Sequence, residues 1–192
     1  VKTKRLALAI DRIGPLSIPQ PNFKKAEDFL ARSIVGQQLS VAAARTIWGR
    51  LEDLAKSKNK TVTELSFEKD KENIRESGVS YAKIKALECM TTHFKKEGFE
   101  NILQRLSHNA RSKELTQIWG IGQWSCDMLS IFHYGEENIW PLNDAGLKRA
   151  CSKLLDSNKI SIEEFSKFGE QAKPYRSYLS LYLWHIIDND VI

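Results

Sequence analysis

Strand-like alternation of apolar and polar residues is missing from the whole chain, which argues against an all-β or mixed architecture and leaves an all-α fold as the expectation. Long apolar runs are missing too. None approaches the roughly 20 residues that a membrane helix needs, and no signal-peptide pattern stands near the start, so no membrane partner is expected. The first residue is Val1, and upstream residues are left open. Cysteine is scarce: Cys89, Cys126 and Cys151 lie far apart, each in an apolar helical pattern, which predicts buried free thiols in a reducing compartment rather than a disulfide framework. His93, His108, His133 and His185 show neither the paired spacing nor the neighbouring cysteine of a zinc site. Internal repeats and low-complexity segments are absent as well.

What the chain does have is basic charge and helical periodicity. Lys and Arg outnumber Asp and Glu by 29 to 24, a net charge of +5 with a sequence pI near 9.1, which favours a polyanionic partner. The 192 residues suffice for one domain or two packed lobes with a real core. Leu6, Ile10 and Ile13 set a leading helix over residues 2–13, and Phe23, Ala26, Leu30 and Ile34 a second that Gly36 ends. Ser40 caps a third helix reaching about Leu54, with Val41, Ala44, Ile47, Trp48 and Leu51 inward. Short pieces at 63–65 and 69–75 precede a long helix from about Ser80 to Lys96. Glu100 to Leu106 forms another, and Ser107 to Ser112 is expected as a polar turn. A last helix begins at Lys173-Pro174-Tyr175-Arg176-Ser177, with Leu179, Leu183, Ile186 and Ile187 packing it.

The centre of the chain, Leu115 to Arg149, carries the chemistry. Helical segments Lys113 to Ile118 and Gln123 to Phe132 are joined through Gly120-Ile121-Gly122, whose paired glycines permit a tight turn. A hairpin of this kind presents backbone N–H groups and a positive helix end, so Gly120, Ile121, Gly122 and Gln123 are candidate phosphate contacts. Trp140-Pro141-Leu142-Asn143-Asp144 follows as a loop that Pro141 stiffens. It leaves Asp144 at the start of a helix whose face carries Leu147, Ala150, Cys151, Leu154 and Leu155. Asp144 suits two roles there, helix cap or lone catalytic acid. Gln37 and Gln38 sit in a tight turn, either solvated or reaching base edges in a minor groove. Tyr81, displayed at a helix start, either packs its ring on the protein or wedges into a base stack. Lys83 meets phosphate or water.

Taken with Trp124 and the Pro-containing loop that ends in Asp144, this hairpin resembles the helix-hairpin-helix (HhH-GPD) DNA glycosylases, the 3-methyladenine DNA glycosylase II group in particular. Phe29-Leu30-Ala31-Arg32-Ser33-Ile34-Val35-Gly36-Gln37-Gln38-Leu39-Ser40 resembles that group's early helices. Ser77-Gly78-Val79-Ser80-Tyr81-Ala82-Lys83 is similar to its Gly-x-Ser-x-x-Lys segment, and Lys173-Pro174-Tyr175-Arg176-Ser177-Tyr178 with Trp184 to its last helix. Roughly residues 26 to 187 are covered, in the correct order.

The resemblance implies a two-lobed all-α fold with the active-site cleft between the lobes and no N-terminal β domain. The middle lobe spans about 41–135, including the hairpin at 113–132, and the second lobe about 1–40 plus 136–192. It implies a monofunctional enzyme that flips out and hydrolyses alkylated purines of the 3-methyladenine and 7-methylguanine type, leaving an abasic site. Asp144 is then the catalytic acid, and Trp124, Met128 and Trp184 line the base pocket. Met128 departs from the aromatic ring of bacterial relatives. Trp124 stands where strand-cleaving relatives carry a Schiff-base lysine. Gln37, Gln38, Ser40, Ser80, Tyr81 and Lys83 become DNA contacts. Backbone carbonyls of Thr116, Ile118 and Ile121 would hold a structural Na+ or K+ ion. No catalytic cofactor or zinc is expected, and nothing after Cys151 matches the four-cysteine iron–sulfur loop of endonuclease III-type cousins. Trp119 replaces a common proline, with an expected effect on rigidity, and Arg176 would tie the lobes together. The expected partner is double-stranded DNA containing damaged bases, bound by a monomer in the nucleoid-containing cytoplasm or the nucleus. Two other readings stay open: a hairpin module that binds DNA or abasic sites without chemistry, and a glycosylase for deaminated or oxidised bases.

Overall fold

A computed structural model describes residues 4–65 and 67–191, and every regular element among them is helical. In chain order these are α1 (Lys4–Ile13), α2 (Ala26–Gly36), α3 (Val41–Ser57), a 3-10 turn (Val62–Glu64), α4 (Lys71–Glu76), α5 (Tyr81–Phe94), α6 (Phe99–Arg105), α7 (His108–Leu115), α8 (Gln123–Phe132), α9 (Ala145–Leu154), α10 (Ile162–Glu170) and α11 (Arg176–Asp188). Residues 2 and 3 of the expected leading helix lie outside the described residues. No described helix is long and apolar enough to cross a membrane.

Asn22–Leu129 forms one unit, and the described residues before and after it form the other. This moves a boundary: α2, expected with the chain termini, belongs to the 22–129 unit. Its apolar stripe of Ala26, Leu30, Ala31, Ile34 and Val35 is buried, and it packs on α3 and α5. Burial of each Leu, Ile or Val side chain of this kind contributes about 1.5–3 kcal/mol. The first N–H of α2 donates to Glu100 Oε1 at 2.6 Å, placing a carboxylate at the helix's positive end. Phe23, expected inside α2, precedes it and meets Trp48 edge-on, with centroids 6.0 Å apart. Val41 is not inward but 75% exposed, because the buried face of α3 runs through Ala44, Trp48, Leu51 and Ala55.

The expected polar turn at Ser107–Ser112 is helical and forms most of α7. Arg111, buried in that helix, sends Nε to Leu103 O (2.9 Å) and Nη2 to Leu106 O (2.7 Å), satisfying the last carbonyls of α6. The first hairpin helix therefore ends at Leu115, where the Thr116 hydroxyl turns back to Ser112 O at 2.8 Å.

In the other unit, α1, α9, α10 and α11 enclose a core that includes Leu6, Leu147, Cys151, Phe165, Leu183 and Ile186. Helix α10 has no counterpart among the expected elements, although Ser161 and Glu164 form a reciprocal capping box just before Phe165 and Phe168. Helix α11 starts at Arg176 rather than Lys173, because the Tyr175 N–H turns back to Ala172 O at 2.7 Å. The three cysteines are free, with Cys126 and Cys151 buried and Cys89 half-buried. Burial pushes the Cys126 thiol up to about 11 and the Cys151 thiol to about 12, so both stay protonated and unreactive near neutral pH.

Candidate functional site

In the 22–129 unit the hairpin turn is anchored by Leu115, Ile118 and Ile121, all buried. Ile121 N–H closes the turn on Ile118 O at 3.1 Å. Gly120 is required twice over. Its φ is +90°, and a Cβ there would lie 2.4 Å from the Cβ of Ala86 and 3.2 Å from its Cα, so the turn rests directly on α5. Gly122 is different: it lies outside the left-handed region, and nothing is within 4 Å of where its Cβ would be. Of the expected glycine pair, one is demanded by the fold and the other leaves open space beside the turn. The α8 ladder opens with the N–H groups of Ser125 and Cys126 on Gly122 O, at 3.0 and 3.3 Å. The Gly122 and Gln123 amides thus stand at the positive end of the helix.

Several side chains assigned to DNA from the sequence are engaged inside the protein. Gln37 Nε2 donates to Gly120 O and to Ser125 Oγ, both at 3.3 Å, and so braces the hairpin instead of extending outward. Lys83 Nζ donates to Val35 O and Gln37 O, each at 2.8 Å, closing the C-terminal carbonyls of α2. Burial holds its pKa below the usual lysine value. Gln123 turns its amide back, donating to Asp127 Oδ1 (2.8 Å) and Ser112 Oγ (3.3 Å). His108 Nε2 lies 3.2 Å from the same Asp127 oxygen, which ties α7 to α8. This His108–Asp127 pair has no sequence signature, since its members come from opposite arms of the hairpin.

Ser40 and Ser80 are exposed helix caps, accepting from Ala43 N–H (3.2 Å) and Lys83 N–H (3.3 Å). Gln38 is exposed, with φ +57°. Tyr81 is 52% exposed, yet Lys71 Nζ and Arg75 Cζ sit 5.1 and 5.5 Å from its ring centroid and its hydroxyl donates to Glu72 Oε2 at 3.2 Å. A wedging motion would have to break that cradle, so packing on the protein is the arrangement observed. Trp124 is half-buried and Met128 buried, one helical turn apart on α8. Among the described residues, no three His, Cys, Asp or Glu side chains gather closely enough to hold a metal ion.

In the other unit, Asp144 is buried at the N-cap of α9, and its Oδ1 accepts the Leu147 N–H at 2.8 Å. The same oxygen accepts the indole N–H of Trp184 at 3.2 Å. Trp184, expected only as a pocket wall, thus also orients the acid. Its ring lies on Phe132, with centroids 5.7 Å apart. Gly146 closes the group: a Cβ there would be 3.1 Å from Asp144 Oδ1 and 3.6 Å from Trp184 Cδ1. A glycine in the first turn of a helix is locally unfavourable, and that cost is the one sequence signal that would have flagged Gly146.

The loop carrying Asp144 is held at both ends. Trp140 is buried on Phe165 (centroids 4.7 Å apart) and donates to Phe165 O at 3.2 Å, with Gly169 leaving room for its ring. Pro141 O accepts the Asp144 N–H at 3.0 Å. Arg176 reaches Asn138 Oδ1 (2.8 Å), Asn138 O (2.9 Å) and Glu170 Oε1 (3.0 Å). It therefore ties this loop to α10 and α11.

A family model described as "HhH-GPD superfamily base excision DNA repair protein" matches residues 31–174. The chain is 28% identical over 182 residues to an alkylbase DNA glycosidase-like protein of Schizosaccharomyces pombe, covering 92% of this chain and 85% of that one. It is 29% identical over 171 residues to DNA-3-methyladenine glycosylase 1 of the same yeast, covering 86% and 75%. Among solved structures, a 3-methyladenine DNA glycosylase from S. pombe in complex with abasic DNA has the same fold, with a TM-score of 0.84 at 22% identity over 100% of this chain and 95% of that one. A DNA-3-methyladenine glycosidase from Bacillus halodurans gives a TM-score of 0.74 at 28% identity, over 97% and 85%.

Proposed function

Because this chain belongs to the HhH-GPD superfamily of base excision DNA repair proteins, we propose that it is a monofunctional DNA N-glycosylase that excises alkylated purines of the 3-methyladenine and 7-methylguanine type from duplex DNA. The observation that carries this reading is the Asp144 carboxylate, held through Oδ1 by the Leu147 amide and the Trp184 indole. Two donors on one oxygen, at the head of α9, hold the carboxyl group fixed in direction.

Breaking the N-glycosidic bond builds positive charge on the sugar as the base leaves. A fixed carboxylate beside C1′ stabilises that charge and orients the attacking water. An alkylated purine already carries positive charge, so it departs without a second acid to protonate it. A cationic base also gains on the order of 0.5–2 kcal/mol from each aromatic face it meets, the role assigned to Trp124 and Trp184, with Met128 as an adaptable lining. Trp124 has no amine to form a Schiff base, so the product is an intact strand with an abasic site. The target nucleotide must leave the duplex, at a cost of a few kcal/mol, and the Gly122–Gln123 amides offset part of that cost by holding a phosphate.

The carbonyls of Thr116, Ile118 and Ile121 suit a structural monovalent cation, Na+ or K+. They are neutral oxygen donors, and Ile118 O, although it accepts the Ile121 N–H, has a second lone pair. Such an ion would add positive charge beside the bound phosphate and takes no part in bond cleavage. The protein acts as a monomer wherever its DNA is, nucleoid or nucleus.

The test is release of free base from methylated duplex DNA by the natural protein and by Asp144→Asn. Asparagine is as good a helix cap as aspartate, so the substitution separates capping from chemistry. Release is expected to fall roughly 10²- to 10⁴-fold, with the product strand uncut until alkali is added. Equal release by both proteins removes Asp144 from the mechanism. Immediate nicking refutes the monofunctional reading, and no release from any lesion leaves a binding module.

A further inference from the structure

Trp119 precedes the first hairpin glycine, where a proline would stiffen the chain. The indole does not do that by packing inward: the residue is 48% exposed. The Lys85 ammonium stands against it, 4.8 Å from the ring centroid. Lys85 is itself exposed and, among the described residues, forms no ion pair. The next residue on α5, Ala86, is the one on which Gly120 rests. Trp119 and Lys85 are therefore fixed beside the turn by the same close contact that shapes it. An apolar plate and a cation that has no ion-pair partner among the described residues are held side by side.

Deoxyribose presents an apolar face and its phosphate an anionic one, at neighbouring positions along a strand. We propose that Trp119 and Lys85 form a DNA-backbone contact additional to the hairpin amides, with the indole against a sugar and the ammonium against the adjoining phosphate. This rests on the reading of the hairpin as a DNA-binding element. It replaces the rigidity role expected from the sequence with a binding one.

The experiment measures affinity of the full chain for undamaged duplex by fluorescence anisotropy over a range of salt, using the natural protein, Trp119→Ala, Trp119→Tyr, Lys85→Gln and the Trp119→Ala/Lys85→Gln double variant. Trp119→Ala is expected to weaken binding about tenfold at fixed salt with the salt slope unchanged, and Trp119→Tyr to recover most of that loss. Lys85→Gln is expected to lower the slope of log K against log salt by about 0.9, one phosphate contact. The double variant should lose less than the product of the two, since the groups touch. Affinity within twofold for Trp119→Ala, or an unchanged slope for Lys85→Gln, overturns the contact. Base release by the natural protein, measured alongside, separates the failures. Release without these affinity changes refutes the contact alone, whereas the changes without release refute the enzymatic reading alone. A natural protein that does not bind duplex at low salt refutes both.

Discussion

Replacing Gly120 by alanine sets two separable costs against each other. The φ of +90° is one that an L-residue occupies at about 1–2 kcal/mol. The added Cβ would stand 2.4 Å from the Ala86 Cβ, a clash with a short, rigid side chain on a helix, which costs about 1–3 kcal/mol as the two elements move apart. Together these give roughly 2–5 kcal/mol, and at about 2–4 °C per kcal/mol for a chain of this size the Tm should fall roughly 10 °C. Gly122→Ala meets open space and no positive φ, so it should lie within about 0.5 kcal/mol of the natural protein. Ala86→Gly in the Gly120→Ala background should recover the clash but not the backbone cost, less about 1 kcal/mol for a glycine inside α5. Thermal unfolding of these variants, of Ala86→Gly alone and of the natural protein tests this, with the Gly120 and Ala86 changes forming a double-mutant cycle. Equal Tm losses for Gly120→Ala and Gly122→Ala, or strict additivity of the Gly120 and Ala86 changes, would refute the argument that the turn sits directly on α5.

Two other outcomes concern Trp184 and Glu27, the latter in the first turn of α2. Trp184→Phe keeps the ring on Phe132 but removes the N–H on Asp144 Oδ1. A hydrogen bond to a charged group is worth about 1.5–3 kcal/mol, so single-turnover base release should slow about 10- to 100-fold, and an unchanged rate would remove Trp184 as a positioning group. Glu27 is half-buried, and burial, with Asp28 and Glu100 adding to it, raises its carboxyl from 4.5 to about 7. The folded protein therefore holds this proton more tightly than the unfolded chain. The stabilisation is complete below pH 4.5 and is lost as pH rises through 7. With solvent screening the exposed half, it amounts to about 1 kcal/mol. Glu27→Gln should match the natural protein in urea at pH 4 and exceed it by about that amount at pH 8, and parallel pH profiles would contradict the assignment.

The helices with a continuous apolar stripe were legible in advance, as were the caps at Ser40 and Asp144, because a cap needs only a partner three residues on. Asp144 was open between capping and chemistry, and the structure shows the cap, with the same oxygen also accepting the Trp184 indole N–H. Less legible were the helix at His108–Leu115, whose sequence is polar, and the boundary that places α2 in the 22–129 unit. The long polar side chains were hardest. Gln37 and Lys83 look like groups aimed at DNA, yet they brace the hairpin and close α2 across 83 and 48 residues of chain.

The sequence alone determined the all-helical class, the Gly-Ile-Gly turn and the acid at the head of α9, since periodicity, left-handed turns and caps are settled by neighbours within one or two turns. Only the tertiary structure decided that Trp184 orients that acid, that Gly120 and not Gly122 is sterically compelled, and that Glu100 caps α2. Those outcomes depend on which segments, tens of residues apart, are brought within a few ångströms, and a flexible side chain takes whichever partner that approach supplies.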